Sequence, residues 1–170
     1  MQSRLPEYCD LYQLADKSAS MSGYWPVAKM PRLLTMLAAD TGQVKADLEF
    51  GRQGRTRFIK GSVSADVEMQ CQRCLEATSV PLNAEFLVAL VEDESQIEKL
   101  PEQYEALITE GRHFLPDVIE DELILAVPII ATHDSNCSDY VKQYEVVPGV
   151  NQQEETAKKP NPFAVLKDLL

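Results

Sequence analysis

The chain contains no run of about eighteen apolar residues, so it offers no membrane-crossing helix. Its opening residues, Met1 to Glu7, lack the apolar stretch of an export signal, and a cytoplasmic protein without a membrane partner is expected. Histidine is scarce, with two residues, and cysteine is limited to Cys9, Cys71, Cys74 and Cys137. Without export, these thiols are expected to stay reduced. There is no phosphate-binding glycine loop, no Ser/His/Asp set and no multi-carboxylate metal motif. The usual signatures of hydrolases and nucleotide-driven enzymes are therefore missing, and a binding protein is the leading expectation.

Basic residues are also thin, and unevenly so. Lys and Arg number 16 against 27 Asp and Glu, a formal net charge of -11. Up to Leu75 there are ten basic and eight acidic residues, and from Glu76 onward six and nineteen. Such a field repels nucleic acid at long range and speeds encounter with basic proteins. The plainer alternative is that the acidity serves solubility alone.

What is present is ordinary globular material: 45% hydrophobic and 25% charged residues over 170 positions, enough for one domain. Met21–Trp25 reads as a short strand broken by Pro26. Apolar positions 30, 33, 34 and 37 predict a helix over 31–39, closed near Gly42. Val44, Ala46, Leu48 and Phe50 then alternate with Lys45, Asp47 and Glu49, as in a half-buried strand. A turn at 51–55 leads to a second alternating run, Phe58–Met69, and a third covers Ala77–Val91 and becomes continuously apolar from Phe86. A short strand is predicted over Tyr104–Ile108. Pro116 opens a helix whose buried face is Ile119, Leu123 and Ala126, with Glu120, Asp121 and Glu122 facing water.

The fold class expected is α+β: an antiparallel sheet, open or curled toward a barrel, with flanking helices. Residues 1–148 form the domain, 149–160 a polar linker and 161–170 a C-terminal helix begun by Asn161 and Pro162. The Phe163/Leu166 stripe of that helix either completes the core or docks in a partner's groove.

Three segments carry a family resemblance: Cys71-Gln72-Arg73-Cys74 at a strand end, 118–128 with its acidic helix and Pro128, and 159–166 with Pro160, Asn161, Pro162 and Phe163. In order and spacing the chain resembles the bacterial YceD family. The resemblance implies a role in large ribosomal subunit biogenesis, in the accumulation of large-subunit rRNA. It also points to a small basic ribosomal protein of that subunit as partner, and it brings no catalytic residues.

Cys71 and Cys74 have the spacing of a zinc half-site, and His133 with Cys137 would complete a Cys3His set. Against zinc stands a metal-free thiol pair, the remnant of a fuller site, which is the leading reading. A redox couple is disfavoured because no helix starts after Cys71. Arg52, Arg55, Arg57 and Lys60 surround one hairpin turn and, with Arg73, are candidates for contact with 23S rRNA or its precursor. A solvated hairpin tip is the alternative. Glu120 and Asp121, with Phe163 and Leu166, are candidates for partner binding. The rival function is a zinc-dependent or thiol-based enzyme acting on RNA or protein.

Overall fold

Three long strands, β4 (Gln43–Gln53), β5 (Thr56–Gln70) and β6 (Ala77–Val91), form the antiparallel meander that the alternating sequence requires. The computed structural model describes residues 3–137. Ahead of the meander come β1 (Ser3–Arg4), β2 (Tyr8–Asp10), α1 (Leu11–Asp16), β3 (Ser20–Pro26) and α2 (Pro31–Leu34). After it come β7 (Glu105–Ile108), β8 (Arg112–Phe114) and α3 (Leu115–Ala126). The main sheet has the order β1-β3-β4-β5-β6-β7, and it stays open rather than closing into a barrel. β3 joins β4 antiparallel, whereas β1 on β3 and β7 on β6 are parallel, so the sheet is mixed at both margins. β2 and β8 make a separate antiparallel pair that ties the N-terminal segment to the entry of α3.

The core lies on one face of the sheet. Val44, Ala46, Leu48 and Phe50 of β4 point into it, as do Ile59, Val63, Ala65 and Val67 of β5. Leu11 and Ala15 of α1, Leu33 of α2, and Leu115, Ile119 and Leu123 of α3 cover them. Gly61 interrupts the apolar series of β5 for a steric reason. A Cβ there would lie 2.4 Å from the Phe86 ring and 2.9 Å from a Leu48 methyl, so only glycine lets Phe86 cross the strand. Pro81 falls where β6 is an edge among the described residues, a position that tolerates a missing N–H. At the β4–β5 turn, Gln53 pairs with Thr56 and Gly54 takes φ 62°, as a type II′ hairpin needs at its first central residue.

Two expectations are corrected. The helix over 31–39 is one turn long. Beyond Leu34 the bonds shorten to the i−3 type, as in Thr35 N–H to Arg32 O (3.2 Å) and Met36 N–H to Leu33 O (2.9 Å). Ala38 N–H is then captured by Glu68 O at 2.7 Å, on the part of β5 that extends past β4, so a strand edge outcompetes the helix.

The second correction concerns the acidic helix. Glu120 does not face water: it is 1% exposed. Its Oε1 accepts from the backbone N–H groups of Arg32 (2.6 Å) and Leu33 (2.9 Å), and its Oε2 accepts from Arg32 Nε (2.9 Å). Arg32 also donates to Asp121 Oδ1 and to the carbonyl of Asp117. Glu120 therefore locks α2 to α3 and is withdrawn from any partner. Glu122 is buried too, and only Asp121 of the three is exposed. Periodicity does not reveal this, because a carboxylate supplied with two amides and a guanidinium can be buried with its acceptors satisfied. Residues 149–170, with the linker, Phe163 and Leu166, lie outside the described residues.

Glu120→Ala is expected to lower unfolding stability by about 3 kcal/mol, since each buried donor left unmet costs about 1–3 kcal/mol. Urea denaturation would measure this, and a loss below about 0.5 kcal/mol would show that the lock contributes nothing. Gly61→Val is expected to destabilise by at least about 1–3 kcal/mol through overpacking against Phe86.

Candidate functional site

Two regions of the fold bring chemistry together: the turn between β5 and β6, and the part of the far face of the sheet that the described residues leave exposed. At the first, Cys71 directly follows β5 and the chain doubles back. Leu75 N–H bonds to Cys71 O at 2.9 Å, and Cys71 N–H bonds to Glu76 O at 2.8 Å. Leu75 takes φ 64°, a left-handed conformation rare for a bulky residue. The tight turn brings the Cys71 and Cys74 thiols together. The segment after α3 then returns across it, anchored by Gln72 N–H to Ala131 O at 2.9 Å.

That return delivers His133 and Cys137. One donor atom from each of Cys71, Cys74, His133 and Cys137 lies within 4.8 Å of all the others. Cys71 Sγ and Cys137 Sγ are 3.6 Å apart, and Cys74 Sγ is 3.5 Å from His133 Nδ1. The opposite nitrogen of the ring, Nε2, is 3.0 Å from the carbonyl of Ala77. Burial raises the Cys71 thiol, but the backbone N–H groups of Cys74, Arg73 and His133, with the Cys137 thiol, outweigh it and bring it down to about 5. Cys9 stands apart in β2 of the small sheet, and burial with the neighbouring Asp10 charge pushes it up to about 11, which disfavours its reactive thiolate.

Arg73 belongs to this cluster. Its guanidinium donates to the carbonyls of His133 and Ser135, the latter at 3.0 Å. The hairpin arginines are at the other end of β5, fifteen residues long, or about 45–50 Å away at about 3.3 Å per residue. Arg73 is thus engaged at the cysteine end of β5, opposite the hairpin. At the hairpin, Arg57 donates to both oxygens of Asp16 (2.9 and 3.1 Å) and lies 5.0 Å over the Tyr12 ring. Arg52 approaches the same carboxylate at 3.7 Å. Arg57 holds Asp16 below its usual carboxylate range. Arg55 and Lys60 are exposed and make no ion pair among the described residues. Phe58 lies on the far face of the sheet, over Gly51 and 6.1 Å from the Tyr104 ring.

That far face is the second region, and sequence reasoning did not single it out. Strand register aligns Ser22, Asp47, Ser62 and Glu85 in one row, and Ser20, Glu49, Lys60 and Leu87 in the next. With Gln103 and Glu105 from the following segment they line a hollow of about 800 Å³. Four carboxylates, Asp47, Glu49, Glu85 and Glu105, surround one ammonium, Lys60, and small serines keep the floor low. The alternation of β4 to β6 announced a polar face, but which charges share a row depends on register.

The fold and its two sites define a class: a small α+β protein with an acidic open sheet and a Cys3His cluster at one end of its meander. Residues 59–170 match the family described as large ribosomal RNA subunit accumulation protein YceD. A relative of that name from Haemophilus influenzae (strain ATCC 51907 / DSM 11121 / KW20 / Rd) is 36% identical over 169 residues, spanning 98% of this chain and 96% of the relative. The chain belongs to the YceD family. No solved structure matches it. Among the described residues, no helix is long and apolar enough to cross a membrane.

Burial first, and then the charges of Glu105 and Asp121, push Glu122 up from 4.5 to about 7. An acid raised on folding is bound to its proton longer in the native state, so its contribution favours folding below about pH 4.5 and is lost as pH rises through about 7. Glu122→Gln is accordingly expected to raise the urea midpoint at pH 8 while leaving it nearly unchanged at pH 4. An equal effect at both pH values would remove the cause assigned here.

Proposed function

We propose that this chain acts in the cytoplasm in large ribosomal subunit biogenesis, supporting accumulation of large-subunit rRNA by binding rather than by catalysis. Its partner is a basic protein of that subunit, held against the open face of the sheet. The observation that carries this reading is the group of carboxylates, Asp47, Glu49, Glu85 and Glu105, around one hollow on a chain of net charge -11. Lysine and arginine side chains of a partner would find acceptors there, with long-range attraction speeding the encounter. The name of the Haemophilus influenzae relative supports the same process.

A second contact, with 23S rRNA or its precursor, is supported at the hairpin tip by Arg55. Asp16 neutralises much of Arg52 and Arg57, whereas Arg55 projects from the turn toward water. The enzyme reading, zinc-dependent or thiol-based, has less in its favour, because the cysteine cluster offers four protein donors to one point and so no open position for a substrate.

Capture of tagged full-length protein from bacterial cells at low salt is expected to retain a small basic large-subunit protein and to release it as salt rises. Asp47→Lys with Glu85→Lys, both exposed and in one row, is expected to cut that capture roughly tenfold or more. Arg55→Glu should leave it intact and lower only co-purifying rRNA. Full capture by the double lysine variant would remove the sheet face as the docking surface.

A further inference from the structure

We propose that Cys71, Cys74, His133 and Cys137 hold one zinc ion in a closed tetrahedral site that staples the segment after α3 to the β5–β6 turn. This assignment is independent of the ribosomal reading. Zinc bonds thiolate sulfur at about 2.3 Å and imidazole nitrogen at about 2.0–2.1 Å, so a tetrahedron around it has edges of about 3.8 Å between sulfurs and about 3.5 Å between sulfur and nitrogen. The separations of 3.6 Å for Cys71 to Cys137 and 3.5 Å for Cys74 to His133 match two of those six edges, and every other donor pair lies within 4.8 Å. The four donors come from two segments some sixty residues apart and still lie within 4.8 Å of one another. Here only Cys71 is fully buried.

The surroundings point the same way. His133 Nε2 sits 3.0 Å from the Ala77 carbonyl, the arrangement in which Nε2–H donates and the Nδ1 lone pair is left to face the sulfurs. A ligating histidine is commonly oriented by such an outer partner. Arg73 N–H lies 3.5 Å from Cys71 Sγ, and backbone donors of this kind stabilise a metal-bound thiolate. The Arg73 guanidinium, clamped on the His133 and Ser135 carbonyls, adds positive charge beside a site that three thiolates and one zinc ion would leave at net minus one. The left-handed Leu75 lets the chain turn sharply enough for both Cys71 and Cys74 to reach one point.

All four coordination positions are filled by side chains, so the ion has no open position for water or substrate and its role is structural. The three thiols release their protons on binding, which makes uptake pH-dependent. What the ion secures is the 127–137 stretch, which within the described residues is otherwise held to the turn by the Gln72–Ala131 bond and by Arg73.

The test is metal content and cobalt spectroscopy on the full-length chain purified anaerobically without chelator. One zinc per chain is expected. Replacement by Co2+ is expected to give the intense visible bands of a tetrahedral three-thiolate site. Cys137→Ser is expected to weaken Co2+ binding at least about tenfold. Cys137→His, which keeps a ligand should the serine variant fold poorly, is expected to retain metal and shift the cobalt spectrum toward two thiolates. Chelation of the parent is expected to lower its melting temperature. Protein free of zinc that also fails to take up Co2+, or that carries a Cys71–Cys137 disulfide in the cell, would overturn the assignment. So would an unchanged cobalt spectrum in Cys137→His.

Discussion

A single buried carboxylate holds the helical layer in register with itself. Glu120 receives two backbone amides at the start of α2 and the Arg32 side chain, and thereby joins elements nearly ninety residues apart in sequence. Without such donors a charge at 1% exposure would be untenable. With them it specifies one docking of α2 on α3, which in turn sets how α3 lies on β5 and β6. The exit of α3 leads directly into the segment that crosses the Cys71 turn.

The two ends of β5 perform different tasks. At the hairpin end, Arg57 and Arg52 converge on Asp16 of α1, which draws the densest basic cluster of the chain into internal pairing and leaves Arg55 outside. At the other end the chain turns through Cys71 to Leu75 and meets its own later segment. Between them lies the hollow lined by serines and carboxylates. The acidic groups around that hollow already point to water, so the basic partner proposed above would meet them without rearrangement of the core. Membership of the YceD family places this arrangement beside a relative named for large-subunit rRNA accumulation.

Much of the fold was legible from local pattern. The alternation at Val44–Phe50, Ile59–Met69 and the apolar run from Phe86 set out the three long strands and their order, since period-two patterning states which side chains share a face. The shared spacing of Cys71 and Cys74 was equally visible. Less visible were the short elements. α2 stops after one turn because a strand edge takes Ala38, and β7 pairs parallel to β6, neither of which leaves a mark in the residues themselves.

By itself, then, the sequence determined the α+β class, the meander, the acidic balance and the four candidate donors, because each of these follows from residue type and spacing along a short stretch. Tertiary structure alone decided that Glu120 is inside and Asp121 outside, that Arg73 serves the cysteine turn rather than the distant hairpin, and that Asp47 and Glu85 share a row. It also brought His133 and Cys137 to within 4.8 Å of thiols some sixty residues earlier. These are questions of which distant segments meet, and contact between distant segments is fixed by register and packing, which a linear pattern does not carry.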